Sequence, residues 1–114
     1  MVELTLENFE EEVLNSLTPC VVTFKHGKCH LCRGLSVVLA SLSQKYDKQI
    51  KFATIDSIDQ TQLTDLFNVG GVPTIFLFIE GDGVEIQYPK NPSPMSGYSE
   101  NFLINFLSDV LSDE

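Results

Sequence analysis

Two cysteines three positions apart, Cys29 and Cys32, are the residues of this chain whose type and spacing could carry redox chemistry. A thiolate can attack a disulfide, and a second thiol one helical turn away can then resolve the mixed disulfide that forms. The pair follows a nearly continuous apolar run at 20–25 and precedes apolar residues that repeat at helical spacing over 30–46. We therefore expect it in the first turn of a helix that directly follows a buried strand.

The surroundings of Cys29 favour its thiolate form. At a helix N-terminus, unsatisfied backbone N–H groups and the positive end of the helix dipole stabilise a negative charge on sulfur. The segment 25–33 also holds three of the chain's seven Lys and Arg residues and both histidines, although the chain has a net charge of −9. We expect Lys28 and His30, the neighbours of Cys29, to tune this thiolate.

A metal site and a packing role compete with redox chemistry for the cysteine pair. A zinc half-site would need further ligands from Cys20, His26 or acidic residues, and His30 lies poorly placed between the cysteines. Two inert core cysteines would be unusual in a basic, glycine-flanked segment. The residues favour the redox pair, so we predict no metal and no organic cofactor. Cys20 is expected to be a small core residue, with a regulatory or intermolecular thiol as the alternative.

The remaining chain predicts the elements that position the pair. Strands are expected at 2–5, 20–25, 50–55, 75–79 and 84–88, helices at 6–17, 30–46, 59–67 and 99–111, and a solvated, irregular loop at 89–97. The order β-α-β-α-β-α-β-β-α predicts an α/β fold with a mixed central sheet and helices on both faces. A chain of 114 residues fits a single domain over 1–114.

Charge and hydropathy restrict which classes of partner and which cellular compartment we expect for this protein. The net charge of −9 argues against nucleic acid, and no apolar run approaches the roughly 20 residues of a membrane span. We expect a monomer. The first residues have neither a basic start nor an apolar signal core, which predicts a cytoplasmic protein. A domain cut from a longer secreted chain would instead occupy an oxidising secretory compartment.

The chain resembles the thioredoxin superfamily along essentially its whole length. The resemblance rests on Cys29-His30-Leu31-Cys32 after the segment CVVTF, on VGGVPT at 69–74, and on the terminal segments VELTLENFEEEV and GYSENFLINFL. It implies a thioredoxin fold in which Cys29 is the nucleophile and Cys32 the resolving thiol. It also implies a cis peptide between Val72 and Pro73 that faces the cysteines and binds an extended substrate strand.

Three of the departures from the family pattern bear on the acid–base chemistry of the cysteines. Lys28 replaces the tryptophan that usually precedes the first cysteine, Thr23 replaces a buried acid, and Thr54 replaces the lysine partner of that acid. Because the acid serves the resolving cysteine as a proton acceptor, its loss predicts slow deprotonation of Cys32. The added charge of Lys28 predicts a pair that is more oxidising than that of thioredoxin.

Together these features predict a protein-disulfide oxidoreductase that reduces or exchanges protein disulfides, with a reductase or a small thiol as electron donor. Two alternatives stay open. The missing acid, lysine and tryptophan would also suit a redox-inactive or weakly active thioredoxin-like interaction or chaperone domain. The basic residues around Cys29 would also suit a glutathione-linked, glutaredoxin-like enzyme, because they could hold the carboxylates of glutathione.

Overall fold

The computed structural model describes residues 1–112, so the last two residues of the domain predicted over 1–114 lie outside the described part. The strands are β1 (Val2–Glu3), β2 (Cys20–Lys25), β3 (Lys51–Asp56), β4 (Thr74–Ile79) and β5 (Asp82–Ile86). The helices are a π-helical turn (Glu10–Leu14), α1 (His30–Lys45), α2 (Thr61–Leu66) and α3 (Glu100–Ser112). Within 1–112, no helix is both long and apolar enough to cross a lipid bilayer.

The strands form one mixed sheet in the order β1-β3-β2-β4-β5. Strand β2 runs parallel to β3 and antiparallel to β4, and β5 returns antiparallel along β4. The parallel pair follows from the crossover through α1, and the antiparallel pair β4–β5 follows from a tight turn. Both turn residues, Glu80 and Gly81, have positive φ (53° and 85°), as a two-residue hairpin turn requires. The predicted α/β class and mixed sheet are confirmed.

Helices cover both faces of this sheet and enclose two apolar cores. Helices α1 and α3 pack on one face, where Leu35 and Leu103 are buried. The π-helical turn and α2 pack on the other face. Val21 and Val22 are neighbours on β2 but belong to opposite cores, because successive side chains of a strand point to opposite faces. This is the thioredoxin fold, and its central strand β2 leads directly to the cysteine pair.

The helix predicted over 6–17 is wrong in type and length. Only Glu10–Leu14 forms a helical element, and it has π geometry, with the Asn15 N–H donating to the Glu10 carbonyl at 2.9 Å. The apolar spacing was misleading because Leu17 is fully exposed and Leu6 is 51% exposed. Every other predicted element is present, with ends that differ by at most two residues.

Candidate active site

Cys29 is the N-cap of α1, and its side chain is half-buried. The sulfur accepts a hydrogen bond from the backbone N–H of Cys32, with 3.1 Å between Sγ and N. One of the orphan N–H groups of the helix N-terminus is thereby satisfied by the thiol of Cys29. The hydrogen of this N–H carries a partial positive charge and points at the Cys29 sulfur, so it stabilises a negative charge on that sulfur.

A tight turn between β2 and α1 places Cys29 at this position. Strand β2 ends at Lys25, and the backbone N–H of Cys29 donates to the His26 carbonyl at 3.4 Å. The backbone N–H of Lys28 donates to Nδ1 of His26 at 3.2 Å, so the imidazole side chain also stabilises the turn. His26 therefore has a structural role in the turn that the sequence did not predict.

Cys32 lies one helical turn further on and is buried, with 7% of its surface exposed. Burial and the adjacent Cys29 sulfur raise the pKa of the Cys32 thiol to about 11, although the Lys25 charge and the His26 backbone act in the opposite direction. At neutral pH Cys32 is therefore a protonated thiol. Neither Cys29 nor Cys32 is in a disulfide. The helix thus presents one accessible sulfur and one buried sulfur, a turn apart.

The backbone of Val72 faces the accessible sulfur. The Cys29 thiol points toward the Val72 carbonyl oxygen, with 3.8 Å between Sγ and O, and the Val72–Pro73 peptide bond is cis. Two open clefts of 260 and 360 Å³ lie beside this segment, and Gly70, Gly71 and Val72 line both of them. A peptide chain lying along Val72 would therefore be within reach of the Cys29 sulfur.

Lys28 and His30, predicted as tuning residues, are both exposed. Within the described residues, the Cys29 sulfur has hydrogen-bond contacts with Cys32 and Val72 and none with the side chain of Lys28 or His30. The two residues are close to Cys29 in the chain, so their influence on the thiolate would act through space. Tuning by Lys28 and His30 stays a prediction.

Thr23 and Thr54 are neighbours in the register of β2 and β3. Thr23 is buried, with 3% exposed, and its hydroxyl has no hydrogen-bond partner among residues 1–112. Thr54 is half-buried. An uncharged pair therefore stands at the two positions where the family resemblance implied an acid and a lysine.

Cys20 is remote from the pair and belongs to the core on the opposite face of the sheet. Its side chain is completely buried, and its sulfur lies 3.7 Å from the backbone oxygens of Glu12 and Thr18. The predicted role as a core residue agrees with this environment. Among the described residues, no three His, Cys, Asp or Glu side chains converge to hold a metal ion.

Two tyrosines near the pair were missed by sequence reasoning. The Tyr88 hydroxyl donates a hydrogen bond to the Pro73 carbonyl, and its ring stacks on Tyr98 with 4.5 Å between centroids. Burial, followed by the charges of Cys32 and Cys29, raises the pKa of Tyr88. The available signal was a pair of aromatic residues that bracket a proline-rich loop directly after the last strand.

The loop at 89–97 was predicted to be solvated, but its second half packs against α1. An ideal Cβ on Gly34 would lie 1.9 Å from the backbone oxygen of Met95, so only glycine allows this approach. Ser93 and Gly97 exchange two backbone hydrogen bonds of 3.1 and 2.7 Å, and Ser96 is buried. The loop is thereby fixed beside the N-terminus of α1.

Comparisons with known proteins agree with this geometry. Residues 1–97 match the family model described as Thioredoxin. Thioredoxin C-2 of Corynebacterium nephridii is 30% identical over 92 residues, which cover 81% of this chain and 85% of that protein. Thioredoxin of Porphyra purpurea is 28% identical over 73% of this chain and 78% of its own length. Thioredoxin of Buchnera aphidicola subspecies Acyrthosiphon pisum is 30% identical over 68% of this chain and 72% of its own length. The chain therefore belongs to the thioredoxin family.

Proposed function

We propose that this protein is a thiol–disulfide oxidoreductase that reduces or exchanges disulfides of protein substrates with Cys29 and Cys32. The observation that carries the proposal is the half-buried Cys29 sulfur at the N-terminus of α1, with the buried Cys32 thiol one turn away. Membership in the thioredoxin family supports thiol–disulfide oxidoreductase activity in general.

In the first step the Cys29 thiolate attacks one sulfur of the substrate disulfide. A bond forms between Cys29 and that sulfur, the substrate S–S bond breaks, and the second substrate sulfur leaves with the electron pair as a thiolate. The Cys32 N–H, 3.1 Å from the Cys29 sulfur, stabilises the attacking thiolate before the step. The product is a mixed disulfide between Cys29 and the substrate.

In the second step Cys32 loses its proton to solvent and attacks the Cys29 sulfur. The Cys29–Cys32 disulfide forms, the bond to the substrate breaks, and the substrate has gained two electrons. Because burial raises the pKa of Cys32 above its ordinary value, only a small fraction of this thiol is ionised at neutral pH. The uncharged Thr23 offers no carboxylate to accept the proton, so we expect the second step to limit the rate.

The extended substrate segment would lie along Val72, whose carbonyl is 3.8 Å from the Cys29 sulfur. Backbone groups can bind such a segment without regard to its sequence. A reductase or a small thiol would return Cys29 and Cys32 to the dithiol state. The reduction potential of the pair decides the direction of exchange, with about −270 mV typical of thioredoxin and about −180 mV typical of protein disulfide isomerase.

Reduction of insulin by dithiothreitol tests the proposal. We expect wild-type protein to accelerate the reaction and Cys29→Ser to abolish the acceleration. Cys32→Ser that has been reduced and then freed of dithiothreitol should form a mixed disulfide with insulin that mass spectrometry detects. Cys20→Ala is the matched control, because Cys20 lies in the opposite core. Equal rates for wild type and Cys29→Ser would instead support an interaction domain. Turnover with glutathione but not with thioredoxin reductase would identify a glutaredoxin-like enzyme.

A further inference from the structure

The imidazole of His26 is part of the turn that leads from β2 to Cys29. The His26 carbonyl accepts a hydrogen bond from the Cys29 backbone N–H at 3.4 Å, and Nδ1 of the ring accepts one from the Lys28 N–H at 3.2 Å. A side-chain acceptor that binds the N–H two residues further on is the arrangement by which Asn and Asp stabilise turns. The neutral imidazole of His26 therefore has the role in this turn that Asn or Asp has in others.

This turn sets the conformation in which Cys29 caps α1. Cys29 has extended backbone geometry, with φ −102° and ψ 113°, and its sulfur accepts the Cys32 N–H at 3.1 Å. An N-cap residue needs such non-helical angles for its side chain to reach the free N–H groups of the helix. The two His26 contacts hold the N–H of Cys29 and the N–H of the residue before it. The hydrogen bond that stabilises the thiolate therefore depends on a turn that His26 closes.

His26 also influences the second thiol, through its backbone. Burial raises the pKa of the Cys32 thiol, and a hydrogen bond to the His26 backbone acts in the opposite direction. The His26 side chain is half-buried and lines the 360 Å³ cleft beside Val72. Among residues 1–112 the ring itself has no hydrogen bond to either sulfur, so an effect of its acceptor on Cys29 must pass through the turn.

We propose that His26 is a positioning residue for disulfide exchange, and that its Nδ1 acceptor holds Cys29 in the conformation that stabilises the attacking thiolate. This inference rests on the proposed function and adds a residue to the machinery of the same site. The hydrogen-bond acceptor is the property that the turn requires, and the imidazole charge is not, because protonated Nδ1 could not accept the Lys28 N–H.

Two substitutions of similar shape separate the acceptor from the rest of the ring. Asn and Leu side chains have nearly the same size and branching and neither titrates, but only Asn has an oxygen that can accept the Lys28 N–H. The ratio of the rates for His26→Leu and His26→Asn therefore reports the acceptor alone. The charged and titratable side chains near the pair, among them Lys25 and Tyr88, are the same in both variants.

Alkylation of the reduced protein by iodoacetamide, which is uncharged, measures the reactivity of Cys29. Rates are followed from about pH 5.5 to about pH 9.5, and tandem mass spectrometry identifies the modified cysteine. Loss of one hydrogen bond should shift the balance between thiol and thiolate by about fivefold. The less stabilised thiolate should then be about twice as nucleophilic, because nucleophilicity rises with thiol basicity.

We therefore expect the ratio of the two rates to invert with pH. At the acid end the thiolate fraction limits the rate, so His26→Leu should react about twofold more slowly than His26→Asn. At the alkaline end both thiols are ionised, so His26→Leu should react about twofold faster. Wild type should match His26→Asn at the alkaline end, where a histidine side chain is neutral. A loss of packing alone would not invert the ratio.

A ratio that is the same at both ends of the pH range overturns the positioning role, and so does a wild-type rate that matches His26→Leu in alkali. Insulin reduction by the same wild-type preparation tests the proposed function separately. No insulin reduction together with an inverted ratio overturns the proposed function, while the effect of His26 on the Cys29 thiolate stands. Should His26→Leu fail to fold by circular dichroism, His26→Ala, which also lacks an acceptor, takes its place with the same expected inversion.

Discussion

The unpartnered hydroxyl of Thr23 makes a direct prediction about stability. Thr23 lies on the central strand, 3% exposed, and its oxygen has no hydrogen-bond partner among residues 1–112. A buried polar group without a partner costs about 1–3 kcal/mol relative to its solvated state. Valine has the same branched shape and a methyl group in place of the hydroxyl. Thr23→Val should therefore raise the free energy of unfolding by about 1–2 kcal/mol.

Urea unfolding followed by circular dichroism measures this change as a higher midpoint with an unchanged slope. In a domain of this size, about 1 kcal/mol also raises the melting temperature by roughly 4 °C. Thr74→Val is the matched control, because the buried Thr74 hydroxyl donates to the Gly71 carbonyl at 2.7 Å. Its removal should lower the free energy of unfolding by about 1 kcal/mol. Shifts of the same sign in the two variants would refute the reasoning.

Three further predictions concern the cysteine site and the contacts that support it. Release of substrate from a preformed mixed disulfide on Cys29 should accelerate about tenfold per pH unit between about pH 7 and 9, because burial keeps the pKa of Cys32 above its ordinary value and the thiolate fraction rises throughout this range. Stopped-flow rates that do not change over this range would contradict this prediction. Tyr98→Phe removes the 2.9 Å hydrogen bond to the Ile86 carbonyl and should cost about 1 kcal/mol. Burial raises the pKa of Tyr98 above the value of about 10 that tyrosine has in the unfolded chain. The stability contributed by protonated Tyr98 is therefore fully present below about pH 10 and is lost as the pH rises above it. In alkali, Tyr98→Phe should accordingly lose less stability than the wild type. Lys51→Met should lower the free energy of unfolding by up to about 1 kcal/mol and Glu12→Gln by less. The reason is that the Lys51 ammonium also donates to the Glu12 backbone carbonyl at 2.8 Å, and Glu12→Gln leaves this hydrogen bond intact. Equal losses in urea unfolding would show that only the ion pair contributes to stability.

Most of the fold could be predicted because periodicity and burial agree along the chain. Strand β2 is apolar except for Thr23 and Lys25 and is buried on both faces, and α1 buries the residues that repeat at three and four. The prediction of the first helix is wrong because periodicity and burial disagree there. Leu6 and Leu17 share a helical spacing with Phe9 and Val13, but only Phe9 and Val13 are buried. A pattern of residue types indicates which side chains could share a face, and tertiary packing decides which of them do.

The candidate site was only partly predictable. Cys29 and Cys32 could be found because their spacing in the chain determines their spacing on the helix. Tyr88 and Gly34 could not be found in this way, since their roles depend on contacts between distant segments. A glycine inside a helix is a weak local feature, and its significance depends on the loop that packs on it.

The burial of Cys20 gives the protein an internal reporter of its own opening. Cys20 is inaccessible in the core behind the π-helical turn, whereas Cys29 is accessible at the opposite end of β2. An alkylating reagent can therefore modify Cys29 in the folded molecule but reaches Cys20 only after that layer of the structure has separated from the sheet. Because thiolate reactivity and unfolding are read at two different sulfurs, one labelling experiment can follow the chemistry and the conformational stability of the same molecules.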